Sequence, residues 1–162
     1  MNILLDTHIL IWALNDDPRL PEKARELILD EGNVVYYSSV SIWEVSIKHA
    51  IHPDNVQFTG KDLSGFCQDA GFLPVEIRDR HVFALETITR ADGAPPHHDP
   101  FDRMLISQAK AENMTFITHD SLLPYYQEKC IVFVKWRKGT VLCLLCLLKN
   151  SPLCPCLSRR PA

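Results

Sequence analysis

His97-His98-Asp99-Pro100-Phe101-Asp102-Arg103-Met104-Leu105-Ile106 reads as the start of a helix. Asp99 suits the N-cap, and Pro100 suits the first helical position, where its missing N–H costs nothing. Asp102 follows Asp99 by three residues, so both carboxylates share the first turn and one face. One reading is purely local: Asp99 caps, and Asp102 is the acidic third residue of a capping box. The helix runs to Glu112 and leads into Thr115-Phe116-Ile117-Thr118, a short run with β-branched and aromatic residues that His119-Asp120 closes.

Working outward, the rest of the chain repeats that alternation. Asn2-Ile3-Leu4-Leu5 predicts a first strand ending at Asp6-Thr7, and a helix follows over Ile9 to Leu14. Beyond Pro18 and Pro21, an amphipathic helix from Glu22 to Glu31 stops at Gly32, and Val34-Val35-Tyr36-Tyr37 is the second strand. Ser38-Ser39 caps a helix to about Ile51, with Val40, Trp43, Ile47 and Ala50 read as its apolar stripe. A helix from Asp62 to Ala70, a strand Phe72-Leu73-Pro74-Val75 and a helix from Arg80 to Thr89 precede the loop Asp92-Gly93-Ala94-Pro95-Pro96. After the fourth strand come a helical turn at Leu122 to Tyr126 and a fifth strand, Ile131-Val132-Phe133-Val134. Strands alternating with helices imply an α/β fold with a central parallel sheet and right-handed crossovers.

Four carboxylates occupy comparable places in this layout. Asp6 follows the first strand and Asp120 the fourth; Glu44 lies in the helix after the second strand, and Asp102 opens the helix leading into the fourth. In a doubly wound sheet these positions fall along the carboxyl edge, where ligands bind. If the first and fourth strands are neighbours at the switch point, Asp6 and Asp120 face one crevice. Each acid also has a local explanation: a cap for Asp6, a Ser41-x-x-Glu44 capping box, a turn acid at Asp120. All four falling on one edge by coincidence is harder to accept than any one alone. Clustered carboxylates repel unless cations compensate, and all-oxygen ligation selects Mg²⁺ or Mn²⁺. Such ions activate water and neutralise charge in phosphodiester cleavage. Thr7 and Thr118 flank two of the acids and suit a role orienting them. Arg103 suits a substrate phosphate, or simply a solvated helix surface.

Leu4-Leu5-Asp6-Thr7-His8, Glu44 after a Ser-rich helix start, His98-Asp99-Pro100-Phe101-Asp102-Arg103 and Thr118-His119-Asp120 together resemble the PIN-domain ribonucleases of the VapC toxin type. The similarity spans about residues 2 to 134. It implies a three-layer α/β/α sandwich with a mostly parallel five-stranded sheet and a Mg²⁺- or Mn²⁺-dependent RNA endonuclease activity. It also implies homodimerisation and inhibition by a cognate antitoxin protein. By motif position Asp6, Glu44, Asp102 and Asp120 match the family's acidic quartet, catalytic and metal-holding. Asp99 belongs to the Asp-Pro-Phe-Asp-Arg variant of the third motif and is a further candidate ligand. Thr7, Thr118, Arg103 and His98 are candidates for substrate contact or for supporting the acids.

Composition bounds the alternatives. The 162 residues are 46% apolar and 23% charged, with a net charge of −3, which argues for a soluble globular chain without a strongly basic nucleic-acid coat. No signal peptide or run of ~18 apolar residues is visible, so a cytoplasmic protein without membrane association is expected. Residues 1–134 form the expected nuclease domain; 135–162 form a C-terminal extension read as poorly ordered, where the family pattern has already ended. Cys143, Cys146, Cys154 and Cys156 give that extension a C-x2-C-x7-C-x-C spacing, a conceivable zinc knot, though the interval of seven is short and no His accompanies it. Two other functions fit the same scaffold. A phosphatase forming an aspartyl-phosphate would want a second Asp two residues after Asp6, where this chain has His8. A non-catalytic RNA- or partner-binding module would tolerate a missing acid, and none is missing. Trp12, Trp43, Ile9 and Ile47 exceed what one sheet face obviously needs, so self-association through an apolar surface is expected.

Overall fold

The computed structural model describes residues 1–135. Five strands form one parallel sheet: β1 (Asn2–Leu5), β2 (Val34–Ser38), β3 (Leu73–Val75), β4 (Thr115–Thr118) and β5 (Ile131–Phe133), in the order β3-β2-β1-β4-β5. Between them run α1 (Thr7–Leu14), α2 (Glu22–Leu29), α3 (Ser39–Ile51), α4 (Gly60–Asp69), α5 (Asp79–Leu85) and α6 (Pro100–Ala111), with a 3₁₀ turn at Leu123–Tyr125. The Cys143–Cys156 arrangement lies outside the described residues. No helix among the described residues is long and apolar enough to cross a membrane.

Alternation along β1 divides the core into two. Ile3 and Leu5 face α1, α2 and α4, packing with Leu10, Ala13, Ala24, Ile28, Leu63 and Cys67. Leu4 points the other way and joins Phe116 of β4 with Leu105, Ile106 and Ala109 of α6. Successive strand residues point to opposite faces, and a sheet covered on both sides needs apolar residues at every strand position. Hence Ile3, Leu4 and Leu5 are all fully buried, and the three layers follow.

Two of the helices that lead into strands end by the same device. After α4, Gly71 takes φ +77°, its N–H reaches Gln68 O at 2.9 Å, and Phe72 N–H reaches Cys67 O at 2.9 Å. After α6, Asn113 takes φ +53°, and Met114 N–H reaches Ala109 O at 2.9 Å. These left-handed closures use the last helical carbonyls and turn the chain sharply into β3 and β4.

Several boundaries differ from the sequence expectation. α4 begins at Gly60 rather than Asp62, because Thr59 is the N-cap and Asp62 is the acid of its capping box. Gly60 is needed there: a Cβ would lie 2.0 Å from Ser46 Oγ of α3. α5 stops at Leu85 rather than Thr89, and just beyond it the Thr87 hydroxyl donates to the Ala84 carbonyl oxygen at 2.8 Å. The larger correction concerns α3. Its buried residues are Val40, Ser41, Glu44 and Val45, whereas Trp43 is 51% exposed, Ile47 half-buried and Ala50 exposed. The helix turns Ser41 and Glu44 inward because its first two turns line the carboxyl edge of the sheet.

Candidate active site

β1 and β4 are adjacent and parallel, with Leu5 opposite Ile117. β2 and β3 extend from one side of β1, while the chain after β3 returns to the other side, so the strand order reverses between β1 and β4. A crevice opens at such a point, and Asp6 and Asp120 leave the two strands there.

Asp6 occupies the N-cap position of α1, but its side chain makes no cap hydrogen bond. Its backbone is spent structurally: N–H donates to Ile117 O at 3.0 Å, and the carbonyl accepts from Leu10 N–H at 2.8 Å. The carboxylate, nearly fully buried, instead accepts the Thr118 hydroxyl at 2.6 Å. Thr118 Oγ1 in turn accepts the Asp120 N–H at 3.0 Å. One buried hydroxyl therefore joins the acids that follow β1 and β4. A capping carboxylate would stay solvated and bond N–H groups of the first turn. Asp6 does neither.

The other acids reach this edge from helices. Glu44, buried in α3, pairs at 2.5 Å with Lys48, a half-exposed lysine one turn on. Asp102 accepts from or pairs with His97 Nε2 at 3.1 Å. Asp120 Oδ1 takes the Leu122 N–H at 2.7 Å, an Asx turn that leaves its second oxygen available. Oxygens of Asp102 and Asp120 and a ring nitrogen of His97 all lie within 4.8 Å of one another. Thr7 donates to Ser41 Oγ at 2.9 Å, both buried, and fastens the start of α1 to the first turn of α3. Asp99 is the N-cap of α6, its carboxylate accepting from Phe101 N–H at 2.8 Å and Asp102 N–H at 3.4 Å; it stands at the rim with its oxygen committed.

Electrostatics reports the crowding. Burial raises the Asp102 carboxyl to about 8, and Asp6, Asp99, Asp120 and Glu44 all push the same way. Burial also raises Asp6, with Glu44 adding to it, while Thr118 and His8 pull it back down. Taking charge out of water and setting like charges together both disfavour ionisation. His97 is lowered, first by burial and then by the Arg90 and His98 charges, with Asp120 and Asp99 opposing, so a neutral imidazole faces Asp102.

Two residues that the sequence expectation included stand apart. His98 and Arg103 are both exposed. The histidine inside the cluster is His97, the neighbour of the one expected. Nothing in an adjacent His-His pair says which ring turns inward; the positions of Tyr126 and Arg90 decide it. Tyr126, buried, meets His97 Nδ1 through its hydroxyl at 3.0 Å and edge-on at 5.6 Å between ring centroids. Arg90 lies over the Tyr126 ring at 4.6 Å. The sequence offers Ser41 only as the cap of a Ser41-x-x-Glu44 box; the N-cap of α3 is Ser38, and the buried bond of Ser41 to Thr7 leaves no signal in the sequence.

The donor set suits a divalent cation. Four carboxylates converge on a crevice where the described ion pairs bring only Lys48 and His97 to them. The Asp102 carboxyl is raised to about 8 by burial and by the four acids around it. Oxygen donors with at most one imidazole fit Mg²⁺ or Mn²⁺ better than zinc.

The family model for the PIN domain matches residues 3–129. No curated protein matches the chain. Among solved structures, one similar chain comes from the crystal structure of VapBC2 from Rickettsia felis bound to a DNA fragment from their promoter. The two are 19% identical with a TM-score of 0.59, over 85% of this chain and 100% of the other.

Proposed function

The chain belongs to the PIN domain family, and from that premise we propose that it is an RNA endonuclease dependent on Mg²⁺ or Mn²⁺. The observation that carries the reading is the Asp6 carboxylate. It is buried at a helix start without capping it, bound to Thr118, and set at the switch point with Asp102, Asp120 and Glu44. Asp6, Asp102 and Asp120 would hold the ion directly, with Glu44 at the wall of the crevice. The bound ion supplies an acidified water as nucleophile and neutralises charge on the phosphodiester. The protein's part is positional. Thr118 fixes Asp6 against the strand end of Asp120. Lys48 holds the Glu44 carboxylate from the rim. The Asp120 Asx turn fixes one oxygen so that the other is presented at a set angle. His97 Nε2 shares a hydrogen bond with the Asp102 carboxyl at 3.1 Å and holds it against the sheet edge. Asp102 would hold the cation as its carboxylate, and because burial and neighbouring acids raise that carboxyl to about 8, metal affinity would rise with pH up to that range.

The VapC-type resemblance of the motifs and the likeness to VapBC2 support a toxin whose antitoxin partner masks this crevice. The VapC-type resemblance of the motifs also implies a homodimer, to which the exposed Trp43 and Ile51 of α3 offer apolar surface. Incubating the purified full chain with total RNA, with Mg²⁺, Mn²⁺ or EDTA, and mapping the ends tests the activity. Internal cleavage that EDTA abolishes supports it; intact RNA in every condition contradicts it. A monomeric mass in light scattering at micromolar concentration would count against the dimer.

A further inference from the structure

We propose that His97 is itself a ligand of the cation, giving a mixed imidazole–carboxylate centre that takes Mn²⁺ in preference to Mg²⁺. The inference rests on the reading that the acidic cluster holds a divalent ion, and it names which ion.

The spacing supports it. For an octahedral ion with bonds of about 2.1 Å, adjacent donors lie about 3.0 Å apart and opposite ones about 4.2 Å. His97 Nε2 and Asp102 Oδ2 are 3.1 Å apart, and the set with Asp120 fits within 4.8 Å. The first pair thus already has the spacing of adjacent ligands, and Asp120 lies close enough that a small side-chain movement would bring all three to one ion. A hydrogen bond alone accounts for the first distance but not for the third donor.

The ring is also aimed like a ligand. Its side chain is 5% exposed, its edge packs on Tyr126, and Nδ1 meets the Tyr126 hydroxyl at 3.0 Å. Metal-ligating histidines characteristically have the second nitrogen held by a hydrogen-bonding partner, which fixes tautomer and ring angle. With its proton on Nδ1, the ring would donate to Tyr126 Oη and leave the Nε2 lone pair for the ion, so both nitrogens would be partnered. Tyr126 is itself held, by Arg90 over its ring and by a backbone bridge between the same two residues.

Selectivity follows from donor chemistry. Mg²⁺ is hard, keeps several waters and prefers oxygen, whereas first-row transition ions gain affinity from imidazole. The test uses the metal alone and the full chain. Mn²⁺ and Mg²⁺ affinities are measured by titration calorimetry for the wild type, His97→Ala and His97→Gln, and the Mn²⁺-loaded proteins are examined by electron spin-echo envelope modulation. The expected result is ¹⁴N modulation in the wild type, kept in His98→Ala and lost in both His97 variants. Mn²⁺ affinity should fall about tenfold or more while Mg²⁺ affinity changes far less. Absence of ¹⁴N modulation in the wild type, which needs no variant to fold, overturns the proposal. So does recovery of full Mn²⁺ affinity by His97→Gln, which would make His97 only a hydrogen-bond partner of Asp102. RNA cleavage without nitrogen coordination sinks this inference and leaves the nuclease reading. Nitrogen coordination without RNA cleavage does the reverse.

Discussion

Replacing Asp102 by Asn should stabilise the metal-free protein, and increasingly so as pH rises. In the folded protein the Asp102 carboxyl is raised from its ordinary 3.8 to about 8 by burial and by four neighbouring acids. The folded state therefore holds this proton more tightly than the unfolded chain does. The stabilisation is complete below pH 3.8 and is lost as pH rises through about 8. Each pH unit in that window is worth about 1.4 kcal/mol for one proton. Between about pH 5.5 and 8.5 the wild type should lose roughly 2–3 kcal/mol from this source, the lower figure allowing for sharing of the proton with Asp6. Asn carries no charge to bury and keeps an oxygen for the His97 Nε2–H, so Asp102→Asn lacks that slope. For a chain of this length the difference corresponds to about 5–10 °C in Tm. The assay is urea or thermal unfolding of both proteins in EDTA across that pH range. Excess Mn²⁺ should reverse the order, because only the wild type gains from tight binding to its native state. Parallel stability curves for the two proteins in EDTA would refute the account of a crowded, metal-awaiting carboxyl cluster.

Asp6→Asn should lower metal-dependent RNA cleavage by orders of magnitude with no loss of fold by circular dichroism, since Asn keeps an oxygen for the Thr118 hydroxyl and is nearly as good at a helix start; wild-type cleavage at limiting Mg²⁺ would exclude Asp6 from the site. Thr118→Val removes the hydroxyl shared by Asp6 and the Asp120 N–H, and should cost about 1–3 kcal/mol in urea unfolding as well as weaken cleavage. Asp99→Ala should cost about 1 kcal/mol as a lost cap, and Asp99→Asn should restore it. Cleavage measured on both Asp99 variants should stay within a few-fold of the wild type; its abolition in both, although Asp99→Asn restores the cap, would make Asp99 a metal ligand. Deletion of residues 138–162 should leave a domain that melts cooperatively and still binds Mn²⁺; insoluble or non-cooperative product would show that the fold needs the extension.

The order of elements was legible in the sequence because it depends on local rules. Ile3-Leu4-Leu5 and Phe116-Ile117 are apolar without alternation, as strands buried on both faces must be. Asp99-Pro100 marks a helix start through backbone chemistry that acts within four residues, and the structure places α6 there. Parallel pairing followed from the alternation of strand and helix. The acids were legible as a set for the same reason: their distances from strand ends and helix starts are counted along the chain. What the chain could not reveal were facts about directions in space. The apolar residues Trp43 and Ala50 look like core by hydrophobicity, yet α3 turns Ser41 and Glu44 inward. Whether Asp6 caps α1 or serves the crevice depends on Thr118, 112 residues away. Which of His97 and His98 faces the acids depends on Tyr126, 29 residues further on. Hydrophobic patterning and capping are nearest-neighbour effects and leave a signature in the sequence. The rotation of a helix about its own axis and the pairing of distant polar groups are set by minimising buried charge and unpaired donors over the whole assembled edge, and that balance exists only once β1 and β4 lie side by side.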